Sequence, residues 1–142
     1  MFSKACEYGI KAVVYIAHRS QEGNRVSLKE IAKEIDSPEA FTAKIMQQLA
    51  KKNIVSSSKG PTGGFEMDEE ARLNINIKSI VEVIDGDALY IKCGLGLKDC
   101  DDSRPCPVHQ KFKKLRDSLC KIHTESTIEE LAQKLNDDAI LK

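Results

Sequence analysis

The chain has 142 residues, of which 41% are hydrophobic and 31% are charged, and its formal net charge is zero. This length suits one domain, or one small domain with an extension. No apolar run approaches the ~18 residues that a membrane span needs, and the N-terminus lacks a signal-peptide cleavage site. We therefore expect a cytoplasmic protein without a membrane partner, whose five cysteines serve metal or redox chemistry instead of a disulfide framework.

The zero net charge hides an uneven distribution along the chain. Residues 1–66 carry an excess of Lys and Arg, whereas residues 67–109 carry an excess of Asp and Glu. A basic N-terminal half can contact a polyanion while the acidic segment faces away from it. This pattern is compatible with nucleic-acid binding but does not establish it, because many proteins that bind nothing charged share it.

The first third of the sequence predicts three helices. Apolar residues recur at helical spacing over residues 2–18. Ser27 and Glu30 form a capping box, which predicts a short second helix after them. Ser37 is predicted as the N-cap of a third helix, with Pro38 at its first helical position.

A hairpin is predicted to follow the third helix. Asn53 fits the left-handed residue that ends this helix, because Asn tolerates a positive φ angle. Residues 54–57 and 65–67 are typical of short strands around a turn rich in glycine and proline. With a further helix over residues 75–84, this order is that of a winged helix-turn-helix domain, predicted over residues 1–84.

A cysteine-rich loop is predicted over residues 85–107. Its segment CGLGLKDCDDSRPCPVH holds too many Gly, Pro and Asp residues for a helix. Four potential metal ligands lie in this segment with the spacing C-x₆-C-x₅-C-x₂-H: Cys93, Cys100, Cys106 and His109. A loop of this kind gathers soft ligands without burying much apolar surface. The spacing alone is compatible with a structural zinc site, an iron–sulfur cluster or unligated thiols.

Residues 108–142 are predicted to form a dimerisation helix and a final short helix. Apolar residues recur in the first of these helices at a mean step of 3.5 residues, which is the spacing of a coiled-coil seam. The seam residues are Val108, Phe112, Leu115, Leu119 and Ile122. Two heptads are too short to stand alone, so the seam needs a partner surface. That surface is either a second copy of the chain or the helix's own domain.

Two cysteines and two histidines fall outside these motifs. Cys6 is predicted to be a small buried residue on the inner face of the first helix. Cys120 lies next to the seam and is predicted to pack at the dimer interface. His18 and His123 have no visible partner in the sequence and are predicted to lie on the surface.

Three stretches of the sequence are distinctive: FSKACEYGIKAVVYIA, SPEAFTAKIMQQLAKKNIVSSSKGPTGGF and the three-cysteine loop. Together they resemble the Rrf2 superfamily of bacterial regulators, which includes IscR-like sensors of iron–sulfur status and NsrR-like sensors of nitric oxide. The most specific parts of the resemblance are KGPTGGF and PCPVH. It implies a homodimer on a palindromic operator of double-stranded DNA, with an iron–sulfur cluster in each subunit that controls DNA binding.

The resemblance also implies the ligands of the cluster. The three cysteines of the loop supply three of them, and the fourth place is open. His109 is similar to the histidine of the IscR-like branch, whereas Glu7 stands where NsrR-like members place a carboxylate from the other subunit. Water, Cys6 or no fourth ligand are the remaining alternatives. The first gap is six residues against the usual five of IscR-like members, which leaves the cluster open between [2Fe–2S] and [4Fe–4S].

The second helix of a helix-turn-helix points the side chains of its N-terminal half at base edges in the major groove. The predicted contacts from this helix are Glu39, Thr42, Ala43, Lys44 and Gln47. Lys44 can reach a guanine or a phosphate, Thr42 a thymine methyl group, and Gln47 an adenine edge. Two alanines in this half suggest that phosphate contacts and DNA shape contribute much of the affinity.

The wing is predicted to bind DNA as well. Its predicted contacts, together with one at the start of the second helix, are Ser57, Ser58, Lys59, Gly60, Thr62, Gly63, Gly64 and Ser27. Lys59 lies at the wing tip, where its charge suits the negative potential of a minor groove. The backbone N–H groups of Gly63 and Gly64 are predicted to bond phosphates.

These patterns predict a mostly helical fold with a small β-hairpin wing and a long C-terminal dimerisation helix. The predicted function is that of a homodimeric DNA-binding regulator controlled by an iron–sulfur cluster. The alternative is a winged-helix regulator without a cluster, which is stabilised by zinc or uses its cysteines as a thiol switch. An enzyme is not expected, because the sequence shows no second cofactor motif and no acid/base pair.

Overall fold

The structure of the chain is a computed structural model that describes residues 1–134 and 141. Over these residues it contains eight helices and a two-stranded antiparallel hairpin, which confirms the predicted mostly helical class with a wing. The elements in chain order are α1 Lys4–Gln21, α2 Leu28–Glu34, α3 Glu39–Lys51, β1 Ser56–Ser58, β2 Gly64–Glu66, α4 Glu69–Asn74, α5 Ile77–Ile84, α6 Ala88–Ile91, α7 His109–Glu125 and α8 Ile128–Lys134. None of the helices in these ranges is long and apolar enough to cross a membrane.

The predicted start of α2 is confirmed and that of α3 is wrong. At α2 the Ser27 hydroxyl accepts from the Glu30 N–H at 3.2 Å, and the Glu30 carboxylate accepts from the Ser27 N–H at 2.9 Å. At α3 the N-cap is Pro38, because its backbone is extended (φ −59°, ψ 132°). The Ser37 hydroxyl therefore caps nothing and is hydrogen-bonded to the hydroxyl of Thr42.

The turns that end α2 and α3 have the same geometry. Asp36 and Asn53 take positive φ angles of 53° and 59°. In both turns the N–H of the following residue donates at 2.9 Å to the carbonyl oxygen five residues earlier. This is the Schellman arrangement, which satisfies carbonyl groups at a helix end. It confirms the prediction for Asn53 and adds Asp36, which lies in the turn of the helix-turn-helix.

Helix α1 lies at the centre of the hydrophobic core. Its residues 12–17 are at most 7% exposed, and α3, α5 and α8 pack around it. At Gly9 the neighbouring helix α5 is so close that an added Cβ would lie 2.2 Å from Ile84 Cδ1. The largest fully buried side chains outside α1 are Val26, Ile31, Ile35, Met46, Leu49, Ile80, Val81 and Ile128. The core therefore joins the helix-turn-helix to the C-terminal helix α8.

The wing is held against the loop that precedes α2. The backbones of Val26 and Phe65 exchange two hydrogen bonds, of 3.0 and 2.8 Å. A glycine is required beside this contact: Gly64 has a φ angle of +143°, and an added Cβ would lie 2.6 Å from the Val26 carbonyl oxygen. The base of the wing is thus fixed relative to α2, while its tip extends away from the core.

The strands begin and end at different residues from those predicted. The structure places β1 at Ser56–Ser58 and β2 at Gly64–Glu66, where the sequence predicted residues 54–57 and 65–67. Ile54 is 6% exposed and Val55 is 4% exposed, so both side chains join the core below the wing. Their apolar character therefore reflects burial at the end of α3 and not strand pairing.

Of the three helices that follow the wing, only α5 was predicted from the sequence. Helix α5 begins at Ile77 and not at Ile75, because Asn76 caps it by accepting from the Ser79 N–H at 2.9 Å. The Ile75 carbonyl oxygen accepts from the Ile128 N–H at 2.9 Å and so ties the residues between α4 and α5 to the start of α8. Helices α4 and α6 are missing from the sequence prediction, because six and four residues are too short for a helical apolar period.

The packing of the core can be tested by replacing two leucines, both of which lie in helices. Leu49 on α3 is fully buried, whereas Leu73 on α4 is 52% exposed. We expect Leu49→Ala to lower the free energy of unfolding by about 2–5 kcal/mol, because it leaves a cavity. Leu73→Ala should change it by no more than about 0.5 kcal/mol. Chemical denaturation measures both, and equal losses would contradict the packing of α3 on α1.

Candidate metal centre and nucleic-acid interface

The loop between α6 and α7 brings the three predicted cysteines together. The Sγ atoms of Cys93, Cys100 and Cys106 all lie within 4.8 Å of one another. The sulfurs of Cys93 and Cys106 are 4.0 Å apart, and the Cys106 N–H donates to the Cys100 sulfur at 3.3 Å. All three side chains are half-buried. Three soft donors at this separation are a suitable set for zinc or an iron–sulfur cluster.

His109 is the first residue of α7 and lies beside the cysteines. Its side chain is 6% exposed, and its Nδ1 atom is 3.2 Å from the Cys100 sulfur. Its other ring nitrogen, Nε2, is 3.1 Å from an oxygen of Asp102. The Lys113 ammonium group, one turn further along α7, lies 2.9 Å from both oxygens of that carboxylate. Asp102 was not predicted from the sequence, because its contacts with His109 and Lys113 depend on how the loop folds back onto α7.

The thiols of the loop have different acidities. The pKa of Cys93 is lowered to about 7, because the backbone N–H groups of Leu97 and Leu95 stabilise its thiolate. The pKa of Cys100 is raised: the Cys106 N–H lowers it, but loss of solvent and the neighbouring thiols of Cys106 and Cys93 outweigh that hydrogen bond. Cys93 therefore loses its proton more readily than Cys100, and the thiolate is the form that binds metals.

Helix α7 holds the start of the loop in place. The Phe112 ring lies against Gly94, where an added Cβ would lie 2.5 Å from a ring carbon. Arg116, one turn further along, donates a hydrogen bond to the carbonyl oxygen of Lys92. The segment that carries Cys93 is thus fixed to α7 by one packing contact and one hydrogen bond.

The predicted seam on α7 is partly covered by its own chain. Val108, Phe112 and Leu119 are half-buried. Leu115 is 62% exposed and Ile122 is 58% exposed, so two large apolar side chains face away from the core. Dimerisation through this seam stays a prediction.

Glu7, the alternative fourth ligand, lies on α1. Its carboxylate is 44% exposed and is 3.4 Å from the Lys4 ammonium group on the same helix. This pairing leaves the carboxylate at the surface, and its role as a ligand from a second subunit stays a prediction.

On α3, the predicted recognition helix, one of the predicted DNA contacts is contradicted by burial and the others stay predictions. Glu39, Lys44 and Gln47 are exposed, and Ala43 is half-buried. Thr42 is 1% exposed, and its hydroxyl donates to the Pro38 carbonyl oxygen at 2.9 Å. The prediction that Thr42 contacts a thymine is therefore wrong, since the side chain is used to pack the start of α3.

On the wing, five predicted contacts are exposed: Ser57, Ser58, Lys59, Gly60 and Thr62. The prediction for the Gly63 N–H is wrong, because it already donates to the Gly60 carbonyl oxygen at 3.0 Å and closes the turn. Gly64 is half-buried in β2. Ser27 is exposed at the start of α2, where its hydroxyl oxygen serves as the cap.

The cysteines and histidines outside these motifs were predicted with mixed success. Cys6 is fully buried, as predicted, and burial together with the carboxylate of Asp85 raises its pKa to about 12. His123 is 5% exposed, and its Nδ1 atom lies 2.8 Å from the Tyr90 hydroxyl oxygen. The prediction of a surface histidine is therefore wrong, and burial lowers the pKa of His123.

The two remaining residues also pack within the chain. The His18 side chain is 28% exposed and its Nε2 atom lies 3.7 Å from the Glu22 carboxylate, so it lies half-buried at the surface beside a partner on its own helix. Cys120 packs against the small cluster formed by Cys6, Val81 and Tyr90. Its predicted place at a dimer interface stays untested, while its contacts in the structure are to its own chain.

The fold and the two candidate sites define a class: a winged helix-turn-helix protein with three cysteines grouped in one loop. The family model for Rrf2, described as "Iron-dependent Transcriptional regulator", matches residues 2–134. The chain therefore belongs to the Rrf2 family of transcriptional regulators, which are DNA-binding proteins.

Related sequences agree with this family. A protein of Aquifex aeolicus, provisionally described as an HTH-type transcriptional regulator, is 35% identical over 134 residues, which cover 92% of this chain and 90% of the relative. The regulator IscR of Photorhabdus laumondii is 26% identical over 124 residues, covering 87% of this chain and 74% of the relative.

Solved structures share the fold. CymR of B. subtilis, named as its global cysteine regulator, has a TM-score of 0.77 at 22% identity and covers 94% of this chain and 96% of its own. IscR of T. potens has a TM-score of 0.70 at 21% identity, over 98% of this chain and 90% of its own.

Thiol accessibility tests the placement of the cysteines. In metal-free, reduced protein we expect iodoacetamide to alkylate Cys93, Cys100 and Cys106 in the native state. Cys6 should react only after denaturation, because it is fully buried and its pKa is about 12. Mass spectrometry of peptides from native and denatured samples measures this. Alkylation of native Cys6 at the rate of the loop thiols would contradict its burial.

Proposed function

We propose that the protein is a homodimeric transcriptional regulator whose binding to a palindromic operator is controlled by an iron–sulfur cluster. The observation that carries the proposal is the group of three thiols within 4.8 Å in a chain whose family is described as iron-dependent. In this proposal Cys93, Cys100 and Cys106 hold the cluster, and His109 supplies the fourth ligand. The alternative fourth ligand is Glu7 of the second subunit.

The donor set fits such a cluster. Thiolates hold iron–sulfur clusters of both [2Fe–2S] and [4Fe–4S] type, and an imidazole can replace a thiolate. When bound, the cluster supplies a centre that responds to iron–sulfur status, nitric oxide or oxidants. The nearly buried ring of His109 has one nitrogen 3.2 Å from a thiol of its own chain, which supports it as the fourth ligand.

In this proposal, helix α7 couples the state of the cluster to DNA binding. The contacts of Phe112 with Gly94 and of Arg116 with Lys92 join the loop to this helix. The exposed Leu115 and Ile122 on the same helix are suited to packing against a second copy of the chain. Ordering of the loop would therefore change how two copies are held together. Because operator half-sites lie a fixed helical turn apart, a small change in this spacing alters affinity.

The DNA-binding face consists of α3 and the wing. Lys44 and Gln47 are exposed on α3, and Lys59 is exposed at the wing tip. The wing is fixed to α2 by the Val26 and Phe65 hydrogen bonds, so it can contact the backbone while α3 enters the major groove. Lys44 and Lys59 then contact phosphates or groove edges, and Gln47 contacts a base edge.

The cluster can be tested by cysteine replacement. We expect protein purified without oxygen to be brown and to contain iron and sulfide. Cys106→Ala should lose most of both, because it removes one of the three grouped thiols. Cys120→Ala is the matched control and should keep them, since Cys120 packs away from the loop. Colourless wild-type protein that contains zinc would contradict the proposal and support the zinc-stabilised regulator.

The DNA face can be tested by lysine replacement. On a duplex that wild-type protein selects from a random library, Lys44→Ala and Lys59→Ala should each weaken binding by about tenfold. Each should also reduce the magnitude of the slope of log affinity against log salt concentration by about 2, because the homodimer loses one phosphate contact from each subunit. Lys134→Ala on α8 is the control, since this lysine is 73% exposed and outside the proposed face. Unchanged affinity in the first two variants would count against the face.

A further inference from the structure

Asp102 lies on the side of His109 that faces away from the cysteines. Its carboxylate oxygen is 3.1 Å from Nε2 of the ring, while Nδ1 on the opposite edge is 3.2 Å from the Cys100 sulfur. Each nitrogen of this nearly buried ring thus has a different partner. A carboxylate can only accept hydrogen bonds at neutral pH, so the proton of the neutral ring belongs on Nε2 and the lone pair on Nδ1.

We propose that Asp102 is a positioning residue for His109: it accepts the Nε2 proton and directs the Nδ1 lone pair toward the thiol group, which makes Nδ1 the nitrogen that binds iron. This inference rests on the cluster of the proposed function and adds to it the tautomer, the coordinating atom and the partner that fixes both. Histidines that bind metals commonly donate their other N–H to a carboxylate, which orients the ring and strengthens it as a donor.

An ion pair and a loop turn hold Asp102 in this place, although its side chain is 68% exposed. The Lys113 ammonium group binds both carboxylate oxygens at 2.9 Å, and Lys113 lies one turn after His109 on α7. The preceding residue, Asp101, shapes the loop by accepting from the N–H groups of Ser103 and Arg104, both at 2.8 Å. The turn thus presents Asp102 to the two residues on α7.

The competing explanation is a surface ion pair between Asp102 and Lys113 that has no effect on His109. The two explanations differ in what the loss of the carboxylate does to the cluster. A positioning role predicts weaker ligation by His109, whereas a surface pair predicts no change in any property of the cluster.

The test compares Asp102→Ala with Asp99→Ala, a control aspartate in the same loop, in protein loaded with cluster under anaerobic conditions. We expect Asp102→Ala to lose iron to a chelator about tenfold faster or more. Its midpoint potential at constant pH should rise, because a less basic imidazole stabilises oxidised iron less well. The nitrogen hyperfine coupling in pulsed EPR of the reduced protein should change as well. Asp99→Ala should match wild type in all three measurements.

The same replacement in a His109→Ala background shows whether Asp102 acts through the histidine. If it does, the double variant should lose iron to the chelator at the same rate as the His109→Ala variant alone. An equal acceleration in both backgrounds would overturn the inference, and so would a loaded wild-type protein without nitrogen coupling or an Asp102→Ala variant identical to wild type. Wild-type protein without iron and sulfide would overturn the proposed function together with this inference, so the two failures are distinguishable.

Discussion

The attachment of the cysteine loop to α7 is the constraint on which the functional account depends. The loop has no helix or strand of its own between α6 and α7, and Leu95 and Leu97 within it are exposed. Its position therefore follows from what it touches, namely the Phe112 ring, the Arg116 guanidinium group and His109 at the start of α7. A group bound by the thiols would join the two ends of the loop more firmly and would act on α7 directly.

The buried helix α1 gives this attachment a route to the DNA-binding elements. It packs against α3, which carries the proposed recognition residues, and against α5, which in turn packs against both α3 and α7. The Ile75 to Ile128 hydrogen bond adds a backbone link between the residues that precede α5 and the start of α8. Packed protein interiors are difficult to compress. A shift of α7 can therefore be passed on through these packed helices to α3.

Two local signals were predicted correctly from the sequence and a third, the N-cap at Ser37, was not, while several tertiary contacts were missed. The capping box of Ser27 and the left-handed Asn53 depend on residues within one turn, so a single stretch of sequence contains all the information. Thr42 and His123 were misplaced because their burial is decided by neighbours elsewhere, such as Tyr90 for His123. The cysteine group followed from spacing, but Asp102 became visible only once the loop was folded back onto Lys113 and His109.

The central claim is that filling the thiol site changes the affinity of the protein for DNA. The most direct measurement is the dissociation constant of one wild-type preparation for its selected duplex, before and after anaerobic removal of iron, at one salt concentration. We predict a difference of about tenfold or more, which is within the usual range of coupling between two sites. Equal dissociation constants for the loaded and the stripped protein would contradict the account.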